Sequence, residues 1–162
     1  MKSIQLKLII LLLLGFNLNA QGRYYYNDNE NFTIEFPSEV FYESVTDKGV
    51  VTEELLGNDD FETSLMSYKG DEYEYIKDFS SELNQVAEIF KFKEVREFSK
   101  GSQSNEIKYQ FYIGYSTTNE CTVIFGMVQD SYTRINYDFE LLCWNINLET
   151  ASKIINSIQL QY

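Results

Sequence analysis

Carboxylates dominate the chemistry open to this chain, which carries 25 Asp and Glu against 13 Lys and Arg and has no histidine. The missing imidazole removes the serine or cysteine nucleophile with a histidine base, histidine-bound zinc, and the usual histidine acid or base. The acids gather as Glu53-Glu54, as Asp59, Asp60 and Glu62, and as Asp71, Glu72 and Glu74. A glycoside hydrolase needs two such groups facing each other across a sugar ring. Adjacent strand residues point to opposite faces, so Glu53 and Glu54 cannot be that pair. Acidic turns also suit calcium, which collects several oxygens. Asn58, Asp59, Asp60 and Glu62 form one such turn, and Asn27, Asp28, Asn29 and Glu30 another, neither with EF-hand spacing. The eight glycines are scattered and match neither the phosphate loop nor the dinucleotide fingerprint. No catalytic residue, metal ligand or cofactor is named by these patterns, and a non-enzymatic protein is expected.

Cys121 and Cys143 are the only two cysteines. Cys121, Val123, Phe125 and Met127 form one apolar row at period 2, and Ile135, Tyr137, Phe139, Leu141 and Cys143 form another. Two antiparallel strands in an even register would bring the sulfurs together, so a disulfide is expected, with two buried thiols as the alternative. Aromatic residues are abundant, at 13 Tyr and 12 Phe. Most fall on apolar strand faces and serve the core. Tyr24, Tyr25, Tyr26, Tyr73, Tyr75 and Tyr112 do not, and are the expected contact residues, since exposed tyrosine is a common anchor at binding surfaces.

The elements that must position these groups follow from hydrophobic period. Phe32, Ile34 and Phe36 alternate with Thr33 and Glu35, giving a half-buried strand that Pro37 ends by withholding an N–H. Weaker strand patterns cover 41–45 and 50–56, a turn falls at Gly57-Asn58-Asp59-Asp60, and 61–68 returns as a strand. Between Tyr73 and Phe90 the period changes: Ile76, Phe79, Leu83, Val86 and Phe90 recur at three- and four-residue steps, which predicts a long helix with Asp71 and Glu72 near its positive end. Strands are predicted again at 92–98, 107–115, 120–128 and 132–143, with a polar loop over 99–105. The last three make an antiparallel meander. Asn147 is placed to cap a short final helix carrying Ala151, Ile154, Ile155 and Ile158 on one face. The expected class is α+β, an antiparallel sheet with one long mid-chain helix and a short C-terminal helix.

The address is written in the first twenty residues. Lys2 and Lys7 precede Leu8, Ile9, Ile10 and the leucines 11–14, and small residues close the segment at Ala20. This pattern predicts a cleaved export signal at 1–20 and a single domain over 21–162, exported to a periplasm or secreted. Gly15 and Asn17 interrupt the apolar run well short of the ~20 residues a membrane span needs, so no stable insertion is expected after cleavage. A net charge of −12, more negative once Lys2 and Lys7 leave with the leader, excludes nucleic acid and anionic membranes as natural partners. Cationic partners or divalent metals are the ones the field favours.

Phe32-x-Ile34-x-Phe36-Pro37 near the expected mature start, the mid-chain amphipathic helix and the ending Ala151-x-x-Ile154-Ile155-x-Ser157-Ile158 resemble the PsbP-like family, an α/β/α sandwich found among exported bacterial proteins. Where many members carry a tryptophan soon after the proline, this chain has Val40-Phe41. The resemblance implies a non-catalytic accessory or binding module of the envelope, acting on a protein or small ligand, and transfers no catalytic residue. A carboxylate-dependent glycoside hydrolase and a calcium-stabilised binding module are the alternatives.

Overall fold

The computed structural model describes residues 23–27, 32–47 and 50–160, with side chains over 32–44, 53–69 and 71–160. The leader expected at 1–20 lies outside the described residues. The chain divides into two compact units, one formed by its N-terminal part through Glu39 together with Ile154–Tyr162, the other by Val40–Lys153.

In the first unit, β1 (Arg23–Asn27), β2 (Phe32–Phe36) and β10 (Gln159–Leu160) form an antiparallel sheet in the order β1-β2-β10. Phe32, Ile34 and Phe36 are buried and Thr33 and Glu35 half-buried, the alternation that the sequence predicts. Ile154, Ile155 and Ile158 are buried in the same unit. The Ser157 hydroxyl accepts a hydrogen bond from the Glu35 N–H at 2.8 Å, which fixes the return of the chain to β2. Ile154 and Ile155 belong to helix α2 (Leu148–Asn156), whose first turn is capped as expected, the Thr150 N–H donating to Asn147 Oδ1 at 2.9 Å.

The second unit holds a seven-stranded antiparallel sheet. Its members are β3 (Phe41–Asp47), β4 (Val50–Gly57), β5 (Phe61–Lys69), β6 (Lys93–Ser102), β7 (Ile107–Ser116), β8 (Cys121–Asp130) and β9 (Ile135–Cys143), in the order β3-β4-β5-β9-β8-β7-β6. Two meanders, β3-β4-β5 and β6-β7-β8-β9, therefore meet along β5 and β9. The link from β5 to β6 must cross from the middle of the sheet to its far edge. It does so through helix α1 (Phe79–Ile89), which buries Phe79, Leu83 and Ala87 against Cys121, Val123, Phe125, Met127 and Leu142.

Helix α1 starts later than the apolar period predicts. The Asp78 carboxylate takes the Ser80 N–H at 3.1 Å and caps the helix there. The preceding stretch is held by the sheet instead of coiling, because the Glu74 carbonyl accepts from Asn136 Nδ2 at 2.6 Å and from Gln129 Nε2 at 3.3 Å. Ile76 still packs on the core, which is why it keeps the helical spacing. Asp71 and Glu72 consequently sit in a separate 3-10 turn, Gly70–Glu72, rather than at the helix start. The loop expected over 99–105 is also shorter, since β6 stays paired with β7 through Ser102↔Lys108. Two register shifts along β6 bend this edge strand, and bulges there discourage pairing with another chain.

A candidate binding groove beside helix α1

Alternation along each strand gives the large sheet two chemically different faces. On one, Phe61, Leu65, Phe111, Ile124, Phe139 and Leu141 are buried. On the other, α1 covers β8 and part of β7, while the β4, β5 and β9 portion of that face carries Glu53, Glu62, Ser64, Met66, Asp138 and Glu140. Where the covered and uncovered parts meet there is a cavity of about 260 Å³. Leu83 and Val86 of α1, with Phe90 just past its end, form one wall, Met66, Phe125 and Met127 the floor, and the four carboxylates the opposite side. A second, more open hollow of about 640 Å³ lies along Tyr68, Glu72, Glu74, Tyr75 and Glu82. Met127 and Asp138 line both, so Asp138 stands where the two hollows join.

Strand register accounts for how these acids are grouped. Asp138 and Glu140 are two residues apart on β9 and share a face, with Cα atoms about 7 Å apart. Met66 is opposite Asp138, and Ser64 is opposite both Glu140 and Leu55. The Ser64 hydroxyl donates to Glu53 Oε1 at 2.5 Å, steadying that carboxylate at the mouth. Burial pushes the Asp138 carboxyl up to about 6; the Tyr68 hydroxyl works against this by favouring the ionised form, and the nearby Glu82 charge adds to it. Burial likewise raises Glu140, with the charges of Glu53 and Glu62 acting in the same direction. Asp138 Oδ1 is buried and has no hydrogen-bond partner among the described residues.

The raised Asp138 predicts an inverted pH dependence. Between the ordinary 3.8 and about 6 the folded protein holds a proton that the unfolded chain has lost, so stability falls as pH rises through this window. Replacing the acid by its amide, Asp138→Asn, is expected to raise stability by about 2 kcal/mol at pH 8 and by almost nothing near pH 4. Urea melts of both proteins across pH 4–8 check this. A stability difference that does not change with pH would rule out the buried-charge explanation.

The residues singled out from sequence are distributed as follows. Cys121 and Cys143 are buried free thiols, not a disulfide. The register is odd: Thr122, not Cys121, is opposite Cys143. Cys121 therefore joins the α1 face and Cys143 the opposite face, so the even register that a bridge needs does not occur. Burial pushes the Cys143 thiol up to about 12, with Cys121 adding to the effect, and also raises Cys121. Tyr75 is 55% exposed and lines the larger hollow, its hydroxyl accepting from Lys108 Nζ at 3.4 Å. Tyr73 is half-buried beneath the Arg134 guanidinium, 5.4 Å from the ring centre. Tyr112 packs against the α1 core, its ring set edge-on to Phe125 at 6.0 Å. The side chains of Tyr24, Tyr25 and Tyr26 lie outside the described residues.

Glu53 and Glu54 separate as strand geometry requires: Glu53 lines the groove, and Glu54 is buried on the other face and accepts from the Tyr42 hydroxyl at 3.1 Å. The Asn58 side-chain oxygen and the backbone carbonyls of Asp59 and Asp60 are used within the fold. Asn58 Oδ1 accepts the Asp60 N–H at 2.9 Å, and the Asp60 carbonyl accepts from the Trp144 and Asn145 N–H groups, each at 3.0 Å. The 28–31 part of the other acidic turn lies outside the described residues. Among the described residues no three acidic or thiol groups are gathered closely enough to hold a metal ion.

Sequence reasoning missed Asp138 and Glu140. Their signal was present in β9, where acids alternate with the apolar row, yet a polar alternate face reads as solvated unless a helix is known to stop beside it. Among the described residues no helix is long and apolar enough to cross a membrane. A scan against protein-family models and a search of curated proteins found no match to this chain.

Proposed function

We propose that this is an exported, non-catalytic binding domain of the bacterial envelope or its surroundings, related to the PsbP-like α/β/α sandwiches, whose ligand sits in the groove beside α1. The observation that supports this most is the cavity at the edge of the helix. It has an apolar floor and wall and polar groups converging from β4, β5 and β9, the usual make-up of a small-ligand site. The apolar leader supports export, and the acidic composition suits a protein working free of nucleic acid and anionic membranes.

Amide chemical-shift mapping against a fragment library tests the reading. Fragments are expected to move the resonances of Met66, Val86, Phe90 and Met127 together, and Val86→Trp, which fills the groove, is expected to abolish those shifts. Perturbations confined to other surfaces would overturn it. Export is checked separately by sequencing the mature N-terminus, expected at Gln21.

A glycoside hydrolase remains the second reading, and the specific observation in its favour is Asp138. A carboxyl raised to about 6 by burial could serve as the general acid, with Glu140 two residues away on the same face as the second carboxyl that sugar hydrolysis needs. Release of reducing ends from envelope polysaccharide by the purified protein, lost in Asp138→Asn, would favour it over binding alone.

A further inference from the structure

We infer that the groove beside α1 takes a small organic cation, a protonated amine on a compact apolar body, with the ammonium held at Asp138 and the body laid on Met66, Phe125 and Met127 against Val86 and Phe90. This rests on the groove being the ligand site and adds what chemistry fits it.

Three observations carry the inference. First, the charge of the lining is one-sided: Glu53, Glu62, Asp138 and Glu140 converge on the cavity, and among the described residues no lysine or arginine lines it. An anionic ligand would be repelled by every charged group present. Second, Asp138 Oδ1 is buried and has no hydrogen-bond partner among the described residues, although the Tyr68 hydroxyl is close enough to the carboxylate to favour its ionised form. A buried acceptor left unmade costs free energy, and an ammonium brings three N–H donors and the compensating charge. Third, the remaining surface is apolar and the volume, about 260 Å³, is below the ~300–1,000 Å³ of sites for drug-sized ligands, so the body must be of the order of one ring. A bare metal ion fits less well, because the acids line a trough and do not converge on a point.

Protonation is coupled to this site. The ionisable groups lining the two hollows with Asp138 are Glu53 from β4, Glu62 and Tyr68 from β5, Glu82 from α1, Glu72 from the 3-10 turn, Glu74, Tyr75, Lys77 and Asp78 from the segment before α1, and Glu140 on its own strand. Lys77, in the larger hollow, is the one cation among them, and among the described residues no cation lines the smaller cavity, so a bound ammonium favours the ionised form of Asp138 and binding is expected to weaken as pH falls below about 6.

Isothermal titration at pH 7.5 with 2-phenylethylammonium, 2-phenylethanol and 3-phenylpropionate, run alongside amide-shift mapping, provides the test. The ammonium is expected to bind at least tenfold more tightly than the alcohol, the carboxylate not at all, and Asp138→Asn is expected to remove the advantage of the ammonium over the alcohol. Equal binding of alcohol and ammonium in the groove, or an ammonium preference that survives Asp138→Asn, overturns the cation assignment and leaves the groove as the ligand site. If no probe moves the groove resonances, the cation assignment and the groove reading both fall. Asp138→Asn is expected to be the more stable protein at this pH, so loss of the fold does not confuse the result.

Discussion

Gly126→Val is expected to lower the stability of the large sheet by about 3 kcal/mol or more, enough to leave much of the protein unfolded at 37 °C. Gly126 lies in the middle of β8, opposite Phe111 on β7. A Cβ built there would stand 2.5 Å from the Gln110 carbonyl oxygen and nearer still to Cδ1 of the Phe111 ring. Neither neighbour has room to move. The Phe111 ring is held edge-on by Phe139, with centroids 5.8 Å apart. The Gln110 side chain is tied to Glu97 at 2.8 Å and to Ser80 at 3.1 Å, which anchors β7 to both the edge strand and the start of α1. Glycine is used here to let an aromatic ring lie across the backbone of the paired strand. Urea denaturation monitored by far-UV circular dichroism measures the loss. A midpoint within experimental error of the wild type would refute this account of the core.

The second large effect is expected at the other face. Leu83→Ala should cost about 3 kcal/mol, because Leu83 is 1% exposed and fills the centre of the cluster that joins α1 to β8. For a unit of this size that corresponds to a fall of roughly 10 °C in Tm. Leu83 also belongs to the groove wall, so its loss is expected to speed hydrogen exchange in α1 before the β7-β8-β9 ladder is affected. Hydrogen exchange followed by mass spectrometry separates the two regions. Uniform acceleration across helix and sheet would mean that α1 is not held chiefly by this contact.

Much of the architecture was legible because apolar period is a local signal. Phe32, Ile34 and Phe36 are buried, and the stripe Phe79, Leu83 and Val86 faces the sheet. What period could not supply was decided by distant partners. The true start of α1 depends on Asn136 and Gln129 reaching the Glu74 carbonyl across more than fifty residues of sequence. The tail of β6 stays a strand because β7 offers it a ladder, despite its Ser99-to-Ser102 composition. Tyr112 is polar-capped and alternates with apolar residues, so it reads as outward, yet α1 covers that face. The groove was the least legible feature. Glu53, Glu62, Asp138 and Glu140 come from three strands, and only the strand order β4-β5-β9 brings them side by side.

The odd offset of β8 against β9 has a bearing on how this chain tolerates oxidants. To join the two sulfurs, the ladder would have to slip by one position, turning either Val123 and Phe125 of β8 or Leu141 of β9 away from the surface it now fills. A covalent link formed before the hairpin closes would therefore lock in a misaligned zipper, whereas the finished fold keeps each thiol sealed on its own side of a β-layer and in its unreactive protonated state.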